Sequence, residues 1–164
     1  QGKFDIKISN FNFKDLEEII LDLTDHKYIK DKKNAKAKKA PGNKKYNPHI
    51  IKAKDTKFGY GLSSYQNEEL TFSLAHKDDM YLHVKDYHGP HVIIFNDNPT
   101  EDQLLFGGEI ALYFASLSAG EVYYTKRKNV KKVPEHRGLT TLKDEKVMVI
   151  NQIREESLEI LKRL

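Results

Sequence analysis

An α+β fold is what this sequence predicts: a single domain with a mixed β-sheet of five to seven strands packed by two helices, behind a short helix and a basic linker. Three observations carry that expectation. Short runs of alternating or continuous apolar residues recur from residue 47 onward. One long amphipathic segment, 100–117, opens on helix-capping residues. A lysine-rich stretch with almost no large apolar side chains separates the first twenty-six residues from the rest. The expected units are therefore 1–26, an N-terminal helix at the end of a coiled-coil region; 27–46, a flexible basic linker; and 47–164, the folded domain.

Taken in chain order, residues 13–23 (FKDLEEIILDL) place Phe13, Leu16, Ile20 and Leu23 on one helical stripe, with Asn12 as a cap. Lys27–Lys45 holds nine lysines and one acid, plus Pro41-Gly42, and cannot bury enough to order itself. HIIKA and KFGYGL read as two strands around Asp55-Thr56. NEELTFSLAH is ambiguous, with Leu70, Leu74 and Ala75 suited to a short helix. Met80–Lys85 and His91–Phe95 are strands. The second is almost wholly apolar, which suits a central position. In 100–117, Thr100 and Gln103 have capping-box spacing, and Leu104, Gly108, Ala111, Leu112 and Ala115 share a face. Gly107-Gly108 costs a helix interior about 1 kcal/mol per glycine, and close approach to a sheet would compensate. Glu121–Thr125 and Lys146–Ile150 are further strands. A final helix carries Ile153, Ile160, Leu161 and Leu164 on one side.

The net charge of +4 is mild, but its distribution is not. Lys27–Lys45 and Val122–Arg137 hold the basic excess, the latter with six Lys/Arg and one acid, while acids gather in 15–25, 97–102 and 144–159. Such a polarised map favours a polyanionic partner. There is no cysteine, so disulfides and thiolate zinc sites are excluded, and a reducing compartment fits. No apolar run reaches the roughly 18 residues that span a bilayer, and no signal-peptide pattern is visible. A cytoplasmic protein without membrane contact is expected.

The most chemically loaded stretch is DMYLHVKDYHGPHVII, residues 79–94. Strand alternation sends Met80, Leu82 and Val84 to one face and Tyr81, His83 and Lys85 to the other, the latter spaced about 7 Å apart. A row of aromatic, imidazole and ammonium can stack a base and neutralise a phosphate. His83, His88 and His91, with Asp79 or Asp86, offer a metal-binding alternative, although the spacing matches no standard zinc signature. A third reading makes His83 and His91 hydrogen-bonded sheet residues. No nucleophile elbow, P-loop or dinucleotide fingerprint is present, so a non-enzymatic role without cofactors is expected. The second basic segment interleaves Tyr123 and Tyr124 with Lys126, Arg127, Lys128, Lys131, Lys132 and Arg137, a pattern suited to phosphate contact or to an ordinary solvated hairpin.

The series Asp79-Met-Tyr81-Leu-His83, Lys85, Gly89-Pro-His91-Val-Ile-Ile94 resembles the NFACT-R (DUF814) domain, the C-terminal module of the NFACT (RqcH/NEMF) proteins, whose bacterial members were formerly called fibronectin- or fibrinogen-binding proteins. GLSSYQNEELTF (61–72), EVYYTKRKNVKKV (121–133) and the preceding DHKYIKDKK resemble the same family, over about residues 13–160. Tyr81 stands where the family has Trp, Pro90 where it has Ser, and Ser63-Ser64 where it has an Asn pair. The resemblance implies an RNA-binding module of a bacterial ribosome-associated quality-control protein that rescues stalled large ribosomal subunits and supports C-terminal alanine tailing, with tRNA and large-subunit RNA as partners. The RNA-contacting residues it points to are Asp79, Tyr81, His83, Lys85, His91, Tyr124, Lys126, Arg127, Lys128, Lys131, Lys132 and Arg137. The family's older name implies a fibronectin- or fibrinogen-binding module as the alternative.

Overall fold

The computed structural model describes Ile19 and residues 46–164. The expectations for the 13–23 helix and the 27–45 linker lie outside the described residues, apart from Ile19, which is helical. A hairpin opens the domain: β1 (His49–Ala53) and β2 (Thr56–Tyr60) turn at Lys54 and Asp55, both at positive φ (52° and 63°). That left-handed pair matches the twist of a two-residue hairpin. Next come α1 (Ser64–Glu69) and a π-helical turn over Leu70–Leu74. Strands β3 (Met80–Val84) and β4 (Val92–Ile94) lead into α2 (Glu101–Phe114). The rest is β5 (Gly120–Lys126), a 3-10 turn over Arg127–Asn129, β6 (Val130–Lys132), β7 (Thr140–Leu142), β8 (Lys146–Ile150) and α3 (Glu155–Leu161).

Six strands form one sheet in the order β1-β2-β4-β3-β5-β8, while β6 and β7 make a separate hairpin. The α+β class holds, and β4 is indeed central and fully buried. The expected mixed pairing does not: every paired neighbour is antiparallel. The reason is topological. The α2 connection carries the chain from β4 to β5, but these two strands flank β3 and never pair with each other.

The sheet has a layer on each face. On one, Phe58, Leu82, Val84, Val92 and Ile94 pack against Phe106, Ile110 and Leu112 of α2 and Leu161 of α3. Thr100 caps α2 with the expected capping box. Gly107 and Gly108 do meet the sheet: a Cβ on the first would lie 3.1 Å from Ile94, and on the second 2.8 Å from Ile150 and Met148. On the other face, Leu70, Tyr81, Ile93 and Val130 form a smaller core beneath α1, the π-turn and the β6–β7 hairpin. This second layer, here called the cap, decides where the candidate residues end up. Two helices cover one face as expected, but β6 and β7 have no counterpart in the sequence reading. Three residues each are too few to show a period.

Candidate nucleic-acid interface

Alternation places Tyr81 and His83 on the cap side of β3, as read from the sequence. Tyr81 is nonetheless completely buried, at 0% exposure. Its hydroxyl shares a hydrogen bond of 3.1 Å with Thr140 Oγ1 of β7, and burial raises its pKa. It offers no ring face to a base. His91 is likewise buried, at 1% exposure. Its Nε2 lies 2.9 Å from the Gly138 carbonyl and its Nδ1 2.9 Å from Thr71 Oγ1. A carbonyl can only accept, so Nε2 carries the proton and Nδ1 accepts from the threonine hydroxyl. Burial, and then the neighbouring His83, push the His91 pKa down to about 3. His83 is half-buried, edge-on to His91 at 5.9 Å between ring centres. Burial, opposed by bonds to the backbone at Val84 and Gly89, lowers its pKa. Both His91 nitrogens are engaged inside the protein, and no cluster of three or more His, Asp or Glu side chains that could hold a metal ion occurs among the described residues.

Other expected contacts also turn inward. Asp79 is 7% exposed and accepts from the His76 backbone N–H at 2.8 Å. Tyr124 packs against the α2–α3 core, on the opposite face of the sheet from Tyr81. Lys126 shares that face and donates its ammonium to the carbonyls of Asp78 and Asp97. Lys85 lies beyond the end of β3, paired to Glu121 at 3.2 Å, which raises its pKa. The row Tyr81–His83–Lys85 is therefore not an open binding face.

Basic residues gather instead on the cap. Arg127 lies over the Phe72 ring at 4.7 Å and donates to the Thr71 carbonyl, which the π-turn leaves without the usual i+4 partner. Lys132 lies over the same ring at 5.0 Å and Arg137 over Tyr65 at 4.0 Å. Glu68 of α1 faces both, at 3.7 Å from Lys132 and 3.4 Å from Arg137. Lys128, about half exposed, is 3.6 Å from Asp78. Lys131 is exposed and alternates outward from the buried Val130. Between Arg127 and Lys143 six Lys/Arg oppose one acid, Glu135.

No family model matches the sequence. Relatives do. The "Rqc2 homolog RqcH" of Bacillus subtilis (strain 168) is 34% identical over 135 residues, covering 77% of this chain and 23% of the relative. That of Streptococcus pneumoniae (serotype 2, strain D39) is 27% identical over 132 residues, 80% of this chain and 23% of the relative. Among solved structures, the C-terminal part of the fibronectin/fibrinogen-binding protein from Streptococcus suis superposes with a TM-score of 0.73 at 25% identity, covering 96% of this chain and 65% of that one. The chain belongs to the NFACT-R family. It spans about a quarter of the length of the RqcH relatives it matches.

Within this NFACT-R domain, the residues that the sequence reading left out are Tyr65, Glu68 and Phe72, which seat the cap cations. Their signal was present: Tyr65 and Phe72 stand seven residues apart, two helical turns along one face. What was missing was the neighbour, since Lys132 and Arg137 reach them from 60 or more residues away.

Proposed function

We propose that this domain is a non-enzymatic, cytoplasmic RNA-binding module of a ribosome-associated quality-control protein, with tRNA and large-subunit ribosomal RNA as its partners. The observation that carries the reading is the cap. Arg127, Lys132 and Arg137 are held on two aromatic rings, with Lys128 and Lys131 exposed beside them. Kinship with RqcH supports the ribosomal setting. The chain matches a quarter of those relatives, so rescue of stalled subunits and alanine tailing belong to a longer protein, to which this module contributes RNA contact.

Salt-titrated binding of the chain to tRNA and to ribosomal RNA fragments tests this. Each phosphate contact steepens the dependence of log affinity on log salt by about 0.7 to 0.9. Replacing Lys131 and Lys132 by glutamate is expected to lower the slope by about 1 to 2. Absence of binding at low salt, or an unchanged slope in the variant, rejects the reading. The S. suis neighbour favours one alternative, an adhesin module for fibronectin or fibrinogen. Capture of either protein by the chain at physiological salt, unaffected by the same two substitutions, would support that alternative instead.

A further inference from the structure

We infer that the cap face takes base-paired RNA by its ribose-phosphate surface, and does not read unpaired bases. This rests on the RNA-binding reading above and adds the class of RNA. Surfaces that hold single strands do so by stacking bases on open aromatic rings. At the cap, the rings of Phe72, Tyr65 and Tyr81 are already engaged. Phe72 packs on the Leu70–Tyr81–Ile93–Val130 cluster and carries Arg127 and Lys132 over its ring. Tyr65 is 6% exposed, with Arg137 over it and Tyr46 at 4.5 Å. Tyr81 is fully covered. Tyr123, half-buried, is on the cap side of the sheet but belongs to β5, and the exposed Tyr87 lies outside the cap elements. Tyr123 pairs with His83 and Val147, towards the Glu121 end of β5, and Tyr87 sits in the turn after β3.

What the cap exposes is cationic, and it is held rigidly. Val130 anchors β6 in the core, Thr125 Oγ1 donates to the Lys143 carbonyl, and the Lys143 N–H donates to Asn129. On this frame Arg127, Lys132 and Arg137 are seated over the Phe72 and Tyr65 rings, the last two also beside Glu68, and Lys131 projects outward from a held backbone. A fixed cation array complements a fixed phosphate array, which a duplex has and a single strand lacks. In A-form RNA the deep, narrow major groove hides the base edges, so contact falls on phosphate and ribose, largely independent of sequence.

Fluorescence anisotropy with the whole chain tests the inference, using RNA duplexes of about 20 base pairs in two unrelated sequences and their separated strands at equal phosphate. The duplexes should bind at least about fivefold more tightly than the strands, and within about twofold of one another. Lys131→Glu, at an exposed position, should weaken duplex binding by about three- to tenfold. Both proteins carry the same 27–45 segment, so the difference between them reads the cap alone. Equal or tighter binding of the separated strands overturns the inference while leaving RNA binding in place. So does a tenfold preference for one duplex sequence. An unchanged affinity in Lys131→Glu removes the cap as the site, and no binding of either form at low salt rejects the RNA-binding reading as well.

Discussion

His91 ties three segments together from one side chain and its own backbone. Its N–H donates to Asn67 Oδ1 of α1 at 3.0 Å, its Nδ1 meets the π-turn at Thr71, and its Nε2 holds the Gly138 carbonyl. Gly138 sits at φ +81° with Ser64 pressed against it; a Cβ there would lie 2.7 Å from that of Ser64. The buried, neutral imidazole has a consequence for acid stability. In the unfolded chain the histidine takes up a proton below its ordinary value of 6.5, whereas in the fold it stays neutral to about 3. Protons then favour the unfolded state, so the contribution of His91 is complete above pH 6.5 and is lost progressively as pH falls towards 3. Denaturant unfolding should show stability falling by about 1 to 2 kcal/mol between pH 6.5 and 5, with half-buried His83 adding in the same direction. His91→Gln should be less stable at pH 7 but show a shallower slope over that interval. An equal slope in both proteins would place the acid sensitivity elsewhere.

At the scale of elements, the α2–α3 joint is held by a buried charge. Glu109 is fully buried on α2 and accepts from the Arg154 backbone N–H at 2.7 Å, its guanidinium at 2.9 Å and Ser157 Oγ at 2.6 Å. Arg154 also reaches Asp102 at 2.7 Å and Glu156 at 2.9 Å, and its bonds to Glu109 raise its pKa. A buried pair adds little over an apolar pair, but removing one partner strands the other. Because Glu109 is the buried member, Arg154→Ala should cost about 3 kcal/mol by leaving the carboxylate without its cation. Arg154→Ala combined with Glu109→Gln should cost less than the sum of the two singles by at least about 1 kcal/mol. A double-mutant cycle by chemical denaturation measures this, and strict additivity would show the pair to be uncoupled. The glycine pair of α2 was legible as a close approach because only contact with another layer compensates its propensity cost. The charge joint was not, because Glu109 on α2 and Arg154 at the start of α3 are 45 residues apart.

At the scale of the molecule, the six-stranded sheet of the described residues is open, with β1 and β8 as its edges. Its α2–α3 face is covered, while the cap covers the other face around Tyr81 and Ile93. Towards β8, Val147 and Val149 remain 44% and 65% exposed. An exposed apolar edge strand invites edge-to-edge pairing. Val149→Lys is expected to leave folding stability within about 0.5 kcal/mol and to lower concentration-dependent light scattering. Scattering unchanged by the substitution would show that this edge takes no part in self-association. Charge is also arranged at this scale. The cations of the 126–137 segment divide between two faces, Lys126 with the α2 side and Arg127, Lys132 and Arg137 with the cap, so a basic run in sequence is only partly a basic patch in space.

The sequence by itself determined what is local: the Thr100–Gln103 cap, the β1 and β8 boundaries, the alternation of β3 and the glycine contact of α2, each set by periodicity or by side chains within a turn of one another. It also carried the family motifs. The tertiary structure alone decided whether the Tyr81 side of β3 faces water. Alternation assigns a residue to a side of a strand but says nothing of what covers that side. Here the cover comes from Thr140, 59 residues further on, and from Gly138, 47 residues beyond His91. The three-residue strands β6 and β7 are too short to declare themselves, and they hold their place through contacts distant in sequence. For the same reason the motif that first suggested a binding surface turned out to be the floor beneath the cap.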